Sequence, residues 1–235
     1  MTKEQQSRTQ MLIGEEGLLR LARAHVAVFG LGGVGGYAVE ALVRAGVGTL
    51  TLCDPDTVSE SNRNRQILAL TSTVGASKVE VAAARAREIN PDVTLELYPI
   101  PFLPESADSF DFSRYDYVVD AIDTVSGKLE LIRRARAAGV PILCAMGTGN
   151  RLTARGFTVA ELEKTTGCPL ARSVRTLCRH EGIQGVRVLY SPVPSLRVTL
   201  PEEHGRHAPG SISYVPAIAG LMMAEEVVRH LLQQE

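Results

Sequence analysis

Asp54, Asp56, Asn62, Arg65, Gln66 and Lys78 follow closely on a glycine-rich turn, Gly30-Leu31-Gly32-Gly33-Val34-Gly35. These residue types suit phosphate chemistry. Glycines at 30, 32, 33 and 35 let the chain turn tightly and bring backbone N–H groups up to a phosphate. An acid at the end of the next strand, here Asp54, can accept hydrogen bonds from a ribose hydroxyl. Asn62 and Arg65 are three apart, so one helical turn sets both on one face. Arginine and lysine offset the charge that develops when a phosphoryl or nucleotidyl group is transferred. Further along, Asp123 suits a Mg²⁺ ion held through one carboxylate, with phosphates and waters completing the shell. Two cations over a third phosphate fit ATP better than NAD. For Arg65 and Lys78 the alternative is a solvated helix face.

The pattern around these residues specifies how they are positioned. His25 to Phe29 reads as a buried parallel strand entering the glycine turn, and a helical pattern follows to Ala45-Gly46. Thr49 to Cys53 is a second strand, ending at Asp54. The chain then stays polar for about a dozen residues, longer than an ordinary dinucleotide crossover. Val74-Gly75-Ala76-Ser77-Lys78 leads into a helix over Val79 to Ile89, closed by Asn90-Pro91. Strands are expected at Val93 to Tyr98, Tyr117 to Asp120 and Pro141 to Ala145, with a helix over Ser126 to Ala138. Asp123 then lies just past a strand's carboxyl end, where open α/β sheets bind ligands. Beyond Arg151 the alternation changes. An antiparallel strand at Phe157 to Ala160, a helix over Leu170 to His180, a strand at Gly185 to Tyr190 and a final helix from Val215 are expected. Leu12, Ile13, Leu18, Leu19 and Leu21 suggest two short helices before the first strand.

The expected fold is α/β: a doubly wound, Rossmann-like, mostly parallel sheet with a C-terminal antiparallel and helical extension. A single domain is expected over residues 1–235, with residues 25–150 as nucleotide-binding core and 151–235 as substrate and lid part. The net charge of −1 excludes a generally basic nucleic-acid coat but allows a local basic patch. The four cysteines form no CxxC pair, which argues against a Cys₄ zinc site and a secreted disulfide framework. The polar N-terminus is no signal peptide. Ile212 to Leu232 is broken by Glu225, Glu226, Arg229 and His230, so it reads as a core helix rather than a membrane span. A cytoplasmic protein is expected.

In order and spacing, Gly30-x-Gly32-Gly33-x-Gly35, Asp54-x-Asp56, Asn62-x-x-Arg65-Gln66, Val74-Gly75-x-x-Lys78 and Asp120-Ala121-Ile122-Asp123 resemble the ubiquitin-activating-like (ThiF-type) family, which adenylates carboxylates with Mg-ATP. The resemblance covers residues 8 to about 150. It implies that Asp54 binds ribose, that Asn62, Arg65, Gln66 and Lys78 contact the phosphates, and that Asp123 holds the metal. It also implies a homodimer in which Arg8 reaches the partner's ATP; pattern alone reads Arg8 as a solvated terminus. Thr166 to Arg172, and Pro209 to Pro216 with Ala219-Gly220, resemble the branch of that family that acts on tRNA. That resemblance implies ATP-dependent cyclisation of N6-threonylcarbamoyladenosine at position 37 through an adenylated carboxylate. The net change is loss of water, and the implied partners are tRNA and a sulfur-transfer accessory protein. The alternative is an adenylyltransferase that activates the C-terminal glycine of a ubiquitin-like sulfur carrier; the missing CxxC pairs argue against it. An NAD-dependent redox protein is a third reading.

Lesser features carry two readings each. Cys168, before a proline-started helix, is either a nucleophile or a packed thiol. Arg172, Arg175 and Arg179 recur at helical spacing, as a basic face for tRNA phosphates or as a solvated face. His204 and His207 lie in a loop that either closes over substrate or is plain surface. Ser211 and Ser213 either cap the last helix, the expected role, or contact substrate.

Overall fold

The structure, a computed structural model, describes residues 3–196 and 209–232. The loop histidines His204 and His207 fall outside the described residues. In chain order the elements are α1 (Lys3–Arg23), β1 (His25–Phe29), α2 (Gly35–Ala45), β2 (Thr49–Cys53), α3 (Lys78–Ile89), β3 (Thr94–Tyr98) and β4 (Tyr117–Asp120). Then come α4 (Val125–Ala137), β5 (Ile142–Ala145), β6 (Thr158–Glu161), α5 (Pro169–His180), β7 (Arg187–Tyr190) and α6 (Tyr214–Leu231). A 3₁₀ turn at Glu60–Asn62 breaks the polar stretch after β2.

One seven-stranded sheet in the order β3-β2-β1-β4-β5-β7-β6 carries strands from both halves of the chain. All neighbours are parallel except β6 against β7, so the mostly parallel α/β sheet with an antiparallel extension is what forms. The inner strands β1, β2, β4 and β5 are buried on both faces, as parallel strands with helices on each side must be. On one face Val26, Val28, Leu50, Leu52 and Val119 pack under α2, α3 and α6, with Val79 and Met223 among the contacts. On the other, Ala27, Phe29, Cys53 and Val118 pack with Phe102, Phe110 and Phe112 and with α4 and α5. Phe29 meets Phe102 edge to face at 4.9 Å, a geometry worth about 0.5–1.5 kcal/mol beyond burial.

The register places the functional loops. Phe29 aligns with Cys53 on one side and with Asp120 on the other, and Asp120 with Cys144. The loops that leave β1, β2, β4 and β5 therefore share one rim of the sheet. The strand order reverses between β1 and β4, the switch point where such sheets bind ligands.

The two ends of the chain meet expectation unequally. The N-terminal run is two helices meeting at a break at Gly14 (φ 70°, ψ −179°), as the sequence suggests, with Leu12 and Leu19 exposed and Leu21 buried. Ser213 occupies the N-cap of α6 without a side-chain capping bond. Among the described residues no helix is long and apolar enough to cross a membrane.

Candidate nucleotide site

The glycine turn is shaped by what its glycines exclude. A Cβ on Gly30 (φ 90°) would lie 2.7 Å from the Ala121 carbonyl, and one on Gly35 would lie 1.7 Å from the Gly30 oxygen. Side chains there are impossible, so the β1 loop closes onto the β4 loop and onto the first turn of α2. A Cβ on Gly33 would touch Pro216 of α6 at 3.1 Å and Arg65 at 3.5 Å. One on Gly32 would lie 3.8 Å from Gln66 Nε2. The turn is thus walled by α6 on one side and by the polar crossover on the other.

Asp54 fixes the turn. Its Oδ2 accepts from Leu31 N at 2.6 Å and its Oδ1 from Asp56 N at 2.9 Å. The residue read as a ribose ligand therefore also holds the glycine loop, and a carboxylate's four lone-pair sites allow both. Lys78 arrives because the chain doubles back on itself. Thr57 bridges Ser77, Val58 N donates to Ala76 O at 2.8 Å, and Lys78 N donates to Asp56 O at 3.0 Å. At the start of α3 the Lys78 side chain is buried, with Nζ 2.7 Å from Asp56 Oδ2 and 3.7 Å from Asp54 Oδ1.

The turn after Glu60–Asn62 carries the remaining polar groups. Arg65 N and Gln66 N both donate to Asn62 O, at 3.1 and 2.9 Å, forming the helical turn the spacing predicts. The Asn62 side-chain oxygen is committed to Ser59 N at 3.1 Å. Arg65 is half-buried and donates to Ser61 O at 2.9 Å and Asn64 Oδ1 at 3.0 Å; burial lowers its pKa from the usual arginine value. Gln66 is buried, and its Oε1 is the one buried side-chain polar atom without a partner among the described residues.

The fold thus gathers Gly30, Gly32, Gly33, Gly35, Asp54, Asp56, Asn62, Arg65, Gln66 and Lys78 around the turn. Asp123 is exposed in the β4 loop that packs against Gly30. No group of three or more His, Cys, Asp or Glu that could hold a metal ion occurs among the described residues. Arg8 is not brought to the site. Gln6, two residues before it, donates to Ala45 O at the far end of α2. That helix has 11 residues and a length of roughly 16 Å, with the glycine turn at its opposite end. Arg175 departs from expectation. It turns inward from α5 to donate to Thr165 O at 2.8 Å and Thr165 Oγ1 at 2.6 Å, leaving only Arg172 and Arg179 of the three fully exposed. Cys168 is a buried N-cap of α5 beside Gly147, which favours the packed thiol over the nucleophile.

Residues not singled out by sequence complete the rim. Asn150, the one non-glycine with positive φ (55°) among the described residues, accepts from Gly210 N at 2.6 Å and donates from its own N to Gly210 O at 2.7 Å. Its carbonyl accepts from Leu196 N at 2.7 Å. Asn64 Nδ2 donates to Ser211 O at 3.1 Å. The approach to α6 is therefore stitched to both the β5 loop and the arginine turn. Asparagine's tolerance of the left-handed region was the only local signal for Asn150.

The ThiF family profile matches residues 6–235. The chain belongs to the ThiF family. Among its relatives is the tRNA threonylcarbamoyladenosine dehydratase of Bacillus subtilis, 39% identical over 239 residues that span 97% of this chain and 94% of that one. The crystal structure of the Escherichia coli tRNA N6-threonylcarbamoyladenosine dehydratase in complex with AMP superposes with a TM-score of 0.90 at 32% identity, covering 99% of this chain and 96% of that chain. The same enzyme in complex with ATP gives 0.86 at 31%, covering 99% and 97%. An adenylyltransferase and sulfurtransferase of Candida glabrata is 38% identical over 146 residues, 61% of this chain and 34% of that protein.

Proposed function

We propose that this ThiF-family chain is an ATP-dependent dehydratase of N6-threonylcarbamoyladenosine at position 37 of tRNA. The carboxylate of the threonylcarbamoyl group attacks the α-phosphorus of ATP and pyrophosphate leaves. The carbamoyl portion then attacks the acyl adenylate, the ring closes and AMP leaves. Closing a small ring within one group supplies a high effective concentration and needs no enzyme nucleophile, in keeping with the buried Cys168. The observation that carries the reading is the likeness to the dehydratases over nearly the whole chain, on a rim whose buried Lys78, half-buried Arg65 and glycine turn suit a triphosphate. The likeness to the C. glabrata adenylyltransferase spans only 61% of this chain, so the carrier-activating alternative has less support.

The geometry supports the following residue roles. Lys78 has donors beyond its one bond to Asp56 and would offset charge on the phosphates, together with Arg65. The orphaned Gln66 Oε1 is an acceptor, so a hydroxyl or amino group of the nucleotide would satisfy it, while its amide nitrogen beside Gly32 is the group available to phosphate. Asn62, with its oxygen committed, retains only its amide nitrogen for phosphate. Asp54 would accept from ribose. Asp123 would hold Mg²⁺ through one carboxylate, the usual protein share when phosphates supply the other ligands; the ion would neutralise phosphate charge. Arg8, on the far side of its own chain, would serve a second copy in a homodimer. The setting is cytoplasmic. The test is mass spectrometry of nucleosides from tRNA bearing threonylcarbamoyladenosine after incubation with the protein, ATP and Mg²⁺. Loss of one water, dependent on ATP, is expected; an unchanged nucleoside alongside ATP–pyrophosphate exchange on a small carrier protein would refute the reading.

A further inference from the structure

Positive charge is unevenly spread along this chain. Residues 131–187 hold ten arginines and lysines against three acids, a net +7, while the remainder holds fifteen against twenty-three, a net −8. At the centre of the basic stretch is α5, whose sequence PLARSVRTLCRH contains three arginines and no acid. Its inner face is Ala171, Val174 and Cys178. Arg172 and Arg179 are seven apart, so at 3.6 residues per turn they point the same way, roughly 10 Å apart along the helix. Both are exposed, as are Ser173 and His180.

Several exposed arginines elsewhere are spent on acids: Arg133 on Glu181, Arg187 on Glu226 and Arg63 on Glu60. No described residue pairs with the side chain of Arg172 or Arg179, and the one acid that follows α5, Glu181, is taken by Arg133. At the lower end of the helix Arg136 of α4 is exposed and bonds only the Gln184 carbonyl, at 2.7 Å. A helix free of acids, with unspent guanidinium groups two turns apart, suits an extended polyanion rather than a small anion. Its upper end is tied to the functional rim, because Cys168 at the N-cap lies against Gly147 in the loop after β5.

We propose that the Arg172–Arg179 face of α5, continued by Arg136, binds the phosphate backbone of the RNA whose adenosine is modified at the rim. The inference rests on the tRNA reading above and adds the surface that reading lacks. Phosphate contacts position a nucleic acid without reading its sequence, so this face would hold different tRNAs alike.

The experiment uses the full chain with tRNA bearing threonylcarbamoyladenosine, comparing wild type with Arg172→Gln/Arg179→Gln and Arg172→Glu/Arg179→Glu. Glutamine matches arginine in helix propensity, so the neutral pair keeps α5 intact. The neutral pair is expected to raise the KM for tRNA on the order of tenfold and to flatten the slope of log KM against log salt by about 1.5, the share of two lost phosphate contacts. The glutamate pair is expected to raise KM further. ATP affinity and the unfolding midpoint stay at wild-type values in both. Unchanged KM and slope in both pairs, with wild type active on tRNA, would overturn the inference and leave the function standing; the face would then fall to an acidic protein partner. A wild type that leaves tRNA unmodified overturns both.

Discussion

Two buried lysines end up beside aspartates at the carboxyl ends of β2 and β4, on either side of β1, and they differ in what they have left to give. Lys128 of α4 is wholly buried and uses all three of its donors, on Asp120 Oδ1 and Oδ2 at 3.0 Å each and on Ala145 O at 2.8 Å. Burial pushes the Asp120 carboxyl up, and the ammonium of Lys128 opposes that. Lys78 of α3 makes one hydrogen bond, to an Asp56 carboxylate that is 64% exposed, and stands 3.7 Å from Asp54. A saturated buried ion pair is fixed in place and ties β4, β5 and α4 together. An unsaturated one keeps a cation poised over an open rim. The difference separates a residue that serves the fold from one free to serve a ligand, although each is a lysine near an aspartate.

That contrast can be broken most forcefully at Lys128. Lys128→Ala strands the Asp120 carboxylate in the core and is expected to cost about 3–5 kcal/mol, a large share of a typical domain's stability, read by denaturant unfolding. Replacing Asp120 and Lys128 together by Leu and Met should cost much less. Lys78→Ala is expected to do the reverse. The exposed Asp56 rehydrates, stability falls by about 1 kcal/mol or less, and turnover on tRNA drops by roughly 10²–10³ in a steady-state assay. If Lys78→Ala unfolds the chain or Lys128→Ala leaves it intact, the distinction fails.

Smaller effects sharpen the picture at the rim and at the opposite end of the sheet. Asn150→Ala loses the bond to Gly210 N and places a Cβ residue less suited to positive φ, for about 1–2 kcal/mol. Asn150→Gly removes the bond alone and should recover part of that loss, which thermal melts of the two variants would resolve. At the base of β1, His25 bonds Thr51 Oγ1 at 2.8 Å, and burial lowers its pKa below the usual 6.5, with Glu96 opposing. Its neutral form is the one the fold favours. Its contribution is therefore present above pH 6.5 and is lost as pH falls from there through the depressed value. The unfolding midpoint should fall slightly between pH 7 and pH 5, and His25→Gln should flatten that part of the profile.

Local pattern reached the nucleotide half of the rim and stopped short of the rest for a physical reason. Gly35 meets the Gly30 oxygen, Asp54 accepts from Asp56 N, and Asn62 O accepts from Arg65 N and Gln66 N, all close in sequence, so their spacing makes these turns legible. Lys128 draws its acceptors from two strands, and Asn150 meets Gly210 sixty residues on. Those roles exist only once the sheet has brought β4, β5 and the approach to α6 together. Arg175 shows the converse: its spacing puts it on a face with Arg172 and Arg179, yet the turn at Thr165 offers carbonyls that draw it inward. Arg8 matches a family motif, but its place below α2 is legible only from the packing of α1.

The most direct measurement is a crystal structure of the full chain with a non-hydrolysable ATP analogue and Mg²⁺. The account predicts Lys78 Nζ within hydrogen-bond reach of a phosphate oxygen, a partner on Gln66 Oε1, and the three bonds of Lys128 unchanged. A bound triphosphate that leaves Lys78 committed only to Asp56, or that draws Lys128 away from Asp120, would contradict it.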